Sequence, residues 1–163
     1  MNHIDFTMAS KFFTQHRQQY AKTGILEHHR KLMQQHYNFL SYKIQKNVLI
    51  CTGWIISDDY TNKYKIEIRC VAGKEPCCII LEPKDISPSI VIHMYKDHSL
   101  CLHYPPDMKW SGWTPIYQYT VPWIVEWIHY YELYLVNGGK WEGPESPVHF
   151  TENDRNIDED TDD

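Results

Sequence analysis

The residues of this chain best suited to chemistry are a cysteine and the histidines around it. The run HMYKDHSLCLHYPP, residues 93–106, places Cys101 two positions before His103. A thiolate is a nucleophile, and a neighbouring imidazole can lower the pKa of a thiol or take up a proton. Side chains two residues apart in an extended backbone point to the same side. The run therefore indicates nucleophilic catalysis, although a buried structural thiol beside a packed histidine explains the same residues.

A zinc site is the second interpretation of these residue types. The spacing argues against it, because neither CxxC nor HxxxH is present and the adjacent Cys77 and Cys78 of a strand would point to opposite faces. We therefore expect no metal and no cofactor. Cys51 and Cys70 fall within strand patterns, and we predict that both lie in the core.

The elements that must position Cys101 begin with helices and continue as strands. Apolar spacing predicts a short helix over residues 7–23 that stops near Gly24, and a second helix over 25–37. The period then changes to two, and three β-rich runs are predicted strands: 47–56, 64–71 and 77–81. The short connections between these runs predict an antiparallel meander.

Residues 82–119 are rich in proline, and in that segment we predict only a short SIVIH strand, residues 89–93. A long loop that holds cysteine, histidine and tryptophan is usually functional. The clearest helix follows at 119–139, with Thr120 as its predicted cap and Pro122 in its first turn. This order of elements predicts an α+β fold.

The charge of the chain is unevenly distributed. The net charge is −5, yet residues 151–163 alone hold seven acids and one arginine, so residues 1–150 are nearly neutral. Residues 1–150 therefore lack the excess of positive charge that is typical of proteins that bind nucleic acid. No stretch approaches the roughly 18 apolar residues that span a bilayer, and no secretory pattern opens the chain. We therefore expect a cytoplasmic protein, with neither nucleic acid nor membrane as partner, and an acidic disordered tail at 151–163.

The order of these features resembles the ubiquitin-conjugating enzymes. In that family a His-Pro-Asn tripeptide precedes a catalytic cysteine in the context Ile-Cys-Leu. Here His93-Met94-Tyr95 stands in the place of the tripeptide, and Leu100-Cys101-Leu102 matches the cysteine context. Trp110-Ser111 with Pro115 resembles the Trp-Ser-Pro before the next helix. The resemblance covers roughly residues 25–135 and implies a ubiquitin-conjugating-enzyme-like, four-stranded antiparallel meander with flanking helices.

A narrower group accommodates the two departures from that pattern, which are Tyr95 in place of the asparagine and His103 in place of an acid. The runs SLCLHYPP, VPWIVEWIHYYELYL and WEGPESPVH are similar to the bacterial ubiquitin-conjugating-like proteins of CBASS anti-phage operons. The similarity implies a partner, the cGAS-like nucleotidyltransferase of the operon, whose C-terminal carboxylate becomes linked through the cysteine. It also implies the stand-alone form, without a fused activating domain.

The resemblance assigns roles to named residues. Cys101 would form a thioester and pass the acyl group to an amine, and His103 would tune the thiol or deprotonate that amine. His93 would brace the loop, while backbone N–H groups or the Tyr95 hydroxyl would support the oxyanion. Trp110 is a further supporting residue of the predicted site.

Two alternatives stay open at this stage. One is a non-catalytic binding module of the same fold, and the other is a cysteine hydrolase in which Asp97 or Asp107 orients the histidine. The predicted organisation is an N-terminal helical extension at 1–24, a catalytic domain at 25–150 and the acidic tail at 151–163.

Overall fold

The computed structural model describes residues 6–102 and 109–144. Within these ranges helix α1 spans Phe6–His36 and helix α2 spans Ile116–Val136. The strands are β1 (Ser41–Gln45), β2 (Val48–Ile55), β3 (Tyr64–Val71) and β4 (Cys77–Glu82), and a single 3-10 turn covers Ile90–Ile92. His103, Asp107 and the acidic run at 151–163 lie outside the described residues. The predicted domain boundaries at 24 and 150 stay predictions.

The four strands form one antiparallel sheet in the order β1-β2-β3-β4. With the two helices, this confirms the predicted α+β fold of the ubiquitin-conjugating-enzyme-like type. The inward face of β3 carries the predicted alternation, since these four residues are all buried: Tyr64, Ile66, Ile68 and Cys70. Cys51 is buried opposite Ile68, so both cysteines predicted to be core are core.

The fourth strand is β1, which the sequence analysis did not identify. It joins β2 through a two-residue turn in which Lys46 and Asn47 both have positive φ, 50° and 60°. Such a turn matches the twist of a hairpin, and asparagine tolerates this conformation better than most residues. The burial of β1 alternates only between half-buried and exposed positions, which explains its weak sequence signal.

The predicted SIVIH strand is wrong, because residues 90–92 form a 3-10 turn. The Ser89 hydroxyl accepts a hydrogen bond from Val91 N at 3.1 Å, and His93 N donates to the Ile90 carbonyl at 3.0 Å. These two local bonds curl the chain, and His93 ends the turn in the left-handed region at φ 54°. Local side-chain hydrogen bonding therefore overrides the β propensity of the isoleucines and valine.

Both predicted helix boundaries are also wrong. Helix α1 continues through Gly24 without a break, because one glycine in a helix costs only about 1 kcal/mol relative to alanine. Helix α2 begins at Ile116 with Pro115 as its cap, so Thr120 is a buried interior residue and Pro122 lies beyond the first turn. The start is set earlier by the Ser111–Thr114 turn, in which Ser111 N donates to Thr114 Oγ1 at 2.9 Å.

The core lies between the inward face of the sheet and the two helices. Helix α1 contributes Leu26 and Met33, and helix α2 contributes Ile124 and Ile128, all fully buried. Neither of the two described helices combines the length and apolar character that crossing a bilayer requires.

Candidate active site

Cys101 lies in a short hairpin that extends the sheet beyond β4. Its backbone N–H donates to the His93 carbonyl at 2.9 Å, and Tyr95 N donates to the Ser99 carbonyl at 2.9 Å. On the other side of the same segment, Ile79 of β4 forms an antiparallel bridge with Ser99. The segment that ends at Cys101 is therefore held between β4 and the chain that follows the 3-10 turn.

The alternation of the hairpin determines which side chains meet. Met94 and Leu100 pair with each other and point into the core, where they are 3% and 7% exposed. Since successive side chains of extended backbone point to opposite faces, Tyr95 and Cys101 share the outward face. Their side chains are hydrogen-bonded to each other. The structure thus brings together two of the residues selected from the sequence, and the Cys101 thiol is half-buried.

The surroundings of Cys101 act on its pKa in opposite directions. Burial raises the pKa of the thiol, the hydrogen bond from Tyr95 lowers it, and the negative charge of Glu75 raises it, with a net upward shift. The pKa of Tyr95 is raised as well, first by burial and then by the same hydrogen bond, so the phenol remains a donor. The resting thiol is therefore mainly protonated at neutral pH, and Tyr95 is the group that stabilises its thiolate.

We expect Tyr95→Phe to slow the alkylation of Cys101 by neutral iodoacetamide roughly three- to ten-fold at a fixed pH near 8, because the thiolate loses its donor and the thiol pKa rises further. Peptide mass spectrometry would measure the rate at Cys101, with Cys77 of the same protein as internal reference. Tyr60→Phe, in the β2–β3 connection, is the matched control. An unchanged rate in Tyr95→Phe would show that the phenol does not support the thiolate.

His93 contributes its backbone carbonyl to the site, and its ring packs against Trp141. Its carbonyl holds Cys101, while its imidazole lies 5.3 Å from the Trp141 ring centroid. The preceding turn is fixed by helix α2, since Trp127 Nε1 donates to the Ile92 carbonyl at 2.7 Å. This placement fits the bracing role expected of His93.

Trp141 and Gly143 are residues whose part in the site the sequence analysis did not assign. Trp141 packs against His93 and also lies 6.4 Å from Trp127 and 5.9 Å from Tyr130, measured between ring centroids. The chain then passes so close to these rings that a Cβ at position 143 would come within 2.8 Å of Tyr130 Cγ and 2.9 Å of the Trp141 ring. Trp141, with Gly143 packed against its ring, therefore packs over His93, whose carbonyl holds Cys101. We call Trp141 and Gly143 the Trp141 clamp.

We expect Gly143→Ala to lower the free energy of unfolding by about 1–3 kcal/mol, because the added methyl group overpacks the clamp and displaces Trp141. Thermal unfolding, followed by tryptophan fluorescence, would measure the loss. Gly24→Ala is the control, and it should raise the free energy of unfolding. Nothing lies within 4 Å of its added Cβ, and alanine favours the helix interior. A Gly143→Ala protein as stable as Gly24→Ala would contradict the clamp.

Two of the remaining candidates, Trp110 and Asp97, lie among the described residues. Trp110 is half-buried and packs against the hydrophobic core. Asp97 closes the hairpin turn, where its Oδ1 accepts from Ser99 N at 3.0 Å and Ser99 Oγ at 2.5 Å. In the part of the chain that the structure describes, no group of three or more His, Cys, Asp or Glu side chains could hold a metal ion.

Comparison with known families decides the class of the protein. The family model described as Type II CBASS E2 protein matches residues 29–149, a range that includes the hairpin, Cys101 and the Trp141 clamp.

This chain belongs to the Type II CBASS E2 family.

Membership confirms the resemblance seen in the sequence and assigns the protein a role in CBASS defence, in partnership with CBASS proteins. The family description is that of a conjugating-enzyme-like protein. A search of curated proteins finds no match.

Proposed function

We propose that this CBASS E2-like protein is an acyl transferase that carries the C-terminal acyl group of a cGAS-like nucleotidyltransferase as a thioester on Cys101. The observation that supports this most directly is the hydrogen bond between Tyr95 and Cys101 on the outward face of the hairpin. A thiol with a structural role alone would be expected on the inward face, where Met94 and Leu100 lie buried. Tyr95, the thiolate donor, stands at the position of the asparagine in the His-Pro-Asn tripeptide of the ubiquitin-conjugating enzymes.

The chemistry follows from that pair. The Cys101 thiolate attacks the carbonyl carbon of a carboxylate that an ATP-dependent enzyme has activated as an acyl adenylate, the C–O bond to the phosphate breaks, AMP leaves with the electron pair, and a thioester remains. The Tyr95 hydroxyl, released from the sulfur as its charge disappears, is a donor within reach of the oxyanion that develops next to it. One such donor is typically worth about 3 kcal/mol of transition-state stabilisation. In the second step an amine attacks the carbonyl carbon of the thioester, and the Cys101 thiolate is the leaving group.

His103 keeps the role that we predict for it from the sequence. It follows Cys101 by two positions, and a neutral imidazole there would accept a proton from the attacking amine. This assignment is a proposal from sequence, since residue 103 lies outside the described residues.

The experiment is intact-mass analysis of the protein co-expressed with a cGAS-like nucleotidyltransferase of a CBASS operon and with an ATP-dependent enzyme that activates the C-terminal carboxylate of the nucleotidyltransferase. The proposal expects a species with the summed mass of the two chains less one water. A thiol reductant at neutral pH should cleave it by thiol exchange, which frees Cys101 and transfers the acyl group of the nucleotidyltransferase to the reductant. An adduct that survives the reductant would be an amide or ester and would contradict a resting thioester on Cys101.

A binding module of the same fold is the second candidate. The upward shift of the Cys101 pKa favours it, because a protonated thiol is a poor nucleophile. The same co-expression distinguishes the two functions. Co-purification of both chains at their unmodified masses, under conditions in which the thioester is stable, would support the binding module and overturn the transferase.

A further inference from the structure

The outward face of the sheet carries an open groove that the proposed chemistry of Cys101 does not use. The groove has a volume of about 460 Å³, a size typical of binding clefts in proteins. It is lined by residues of strands β1, β2 and β3 and by Phe39, in the chain that leads into β1. Since the outer strands of the described sheet are β1 and β4 and the Cys101 hairpin lies beyond β4, the groove and Cys101 lie towards opposite edges.

Two exposed aromatic side chains, Phe39 and Trp54, line the groove. They are 53% and 42% exposed, and large apolar side chains that share an accessible surface are typical of sites that bind a partner. Gly53 sets the position of Phe39, because a Cβ at residue 53 would lie 2.6 Å from Leu40 Cδ2 and 3.1 Å from the Phe39 carbonyl oxygen. The chain that carries Phe39 therefore packs directly on β2, beside Trp54.

Two lysines give the groove a positive charge. Lys43 is exposed on β1, and Lys65 on β3 is half-buried. The Lys65 ammonium lies over the ring of Trp54, with Nζ 5.8 Å from the ring centroid, which is within the range of a cation–π contact. Among the described residues that line the groove there is no carboxylate. The groove thus combines aromatic surface with two positive charges.

The nearest carboxylates of the sheet do not neutralise these lysines. Glu82 is the cross-strand neighbour of Lys65, and Glu67, two positions further along β3, is held in an ion pair with Arg69. Within the described parts of the chain, neither Lys43 nor Lys65 forms an ion pair. The groove therefore favours an acidic ligand that also offers an apolar side chain.

Residues 151–163 of the same chain have this chemistry. They hold seven acids and one arginine, and their single apolar side chain, Ile157, is followed directly by three acids. Ile157 comes 13 positions after Pro144, where the described residues end, and an extended chain of that length spans roughly 43 Å. The longest strand, with eight residues, is roughly 26 Å long. The connection is therefore long enough to bring Ile157 to the sheet.

We propose that residues 151–163 bind in this groove of their own chain, with Ile157 between Phe39 and Trp54 and the neighbouring acids on Lys43 and Lys65. The contact removes aromatic surface from water and pairs both lysines with carboxylates. The covalent connection favours the groove of the same chain over that of a second copy, because a linked segment has an effective concentration in the millimolar range.

A consequence concerns any other acidic ligand. An acidic segment of a partner protein can occupy the groove only by displacing residues 151–163, so these residues cover the groove in the free protein. This interaction does not depend on the acyl transfer proposed for Cys101.

The first test is zero-length cross-linking of the full chain with a carbodiimide, which joins a lysine to a carboxylate in direct contact. We expect Lys43 and Lys65 to be linked to residues 152–160 roughly five-fold more often than Lys31, an exposed lysine of helix α1. Peptide mass spectrometry would measure the three yields. Equal yields would overturn the proposal. The same links in a product of twice the monomer mass would assign the groove to a second copy and would overturn it as well.

The second test observes the groove by NMR in the full chain. The indole N–H signal of Trp54, identified by its absence in Trp54→Phe, should shift in Ile157→Ser, because residues 151–163 then lose their apolar contact with the ring. The indole N–H of Trp127 donates to the Ile92 carbonyl in the core and is the matched control, which should not shift. An unchanged Trp54 signal in Ile157→Ser, or equal shifts of both signals, would overturn the proposal.

Discussion

We expect Cys101→Ala to abolish the covalent adduct that we propose with the nucleotidyltransferase, which is the largest effect that we expect of any single substitution. The sulfur is the only atom at that position that can hold the acyl group, so the loss should exceed about 100-fold rather than reduce a rate modestly. The half-exposed position of Cys101 at the end of the hairpin makes the fold tolerant of alanine. Intact mass of the co-expressed proteins measures the outcome.

Two further variants make this prediction specific. Cys77→Ala removes the neighbouring half-exposed thiol of the same face and should leave the adduct in place. Cys101→Ser should give either no adduct or an oxygen ester that resists thiol reductant. Persistence of a reductant-labile adduct in Cys101→Ala would assign the thioester to another cysteine.

Glu132→Ala should produce the largest loss of stability, about 3 kcal/mol, because it leaves two half-buried backbone N–H groups and the buried Tyr64 hydroxyl without their acceptor. Glu132 lies near the end of helix α2 and is 7% exposed. Its carboxylate accepts from Thr61 N at 2.7 Å, Asn62 N at 3.1 Å and the Tyr64 hydroxyl at 2.5 Å. One side chain thus ties helix α2 to the turn between β2 and β3.

Thermal unfolding would report this loss as a decrease in Tm of roughly 10 °C. Glu126→Ala is the matched control, since Glu126 is an exposed residue of the same helix, and it should change Tm by only about 1–2 °C. Equal Tm values for the two variants would show that the turn does not depend on Glu132.

The same carboxylate predicts a pH dependence. Burial raises the pKa of Glu132, but the hydrogen bonds from Tyr64, Thr61 and Asn62 outweigh it and leave the pKa below its ordinary value of 4.5. The unfolded chain therefore binds the proton more readily, so this contribution to stability is present above pH 4.5 and is lost as the pH falls further. In Glu132→Gln the free energy of unfolding should therefore fall less steeply than in the wild-type protein as the pH drops below 4.5.

Some elements of the fold could be predicted because their pattern is local. Strand β3 alternates apolar and charged residues, since one face is buried and the other is solvated. Strand β2 could be identified as a strand, but the face that is buried could not, because both of its faces carry apolar residues. The buried set is Leu49, Cys51 and Ile55, and the outward set is Val48, Ile50, Thr52 and Trp54.

The sequence by itself determined the family, the α+β order, the antiparallel meander and Cys101 as the candidate nucleophile. Each of these depends on periodicity or on residues close together in the chain. Only the tertiary structure decided that Tyr95 donates to Cys101 and that Trp141 packs against His93. The reason is physical: these contacts depend on strand register and on helix packing between segments up to 48 residues apart (His93 and Trp141), and no local pattern encodes that register.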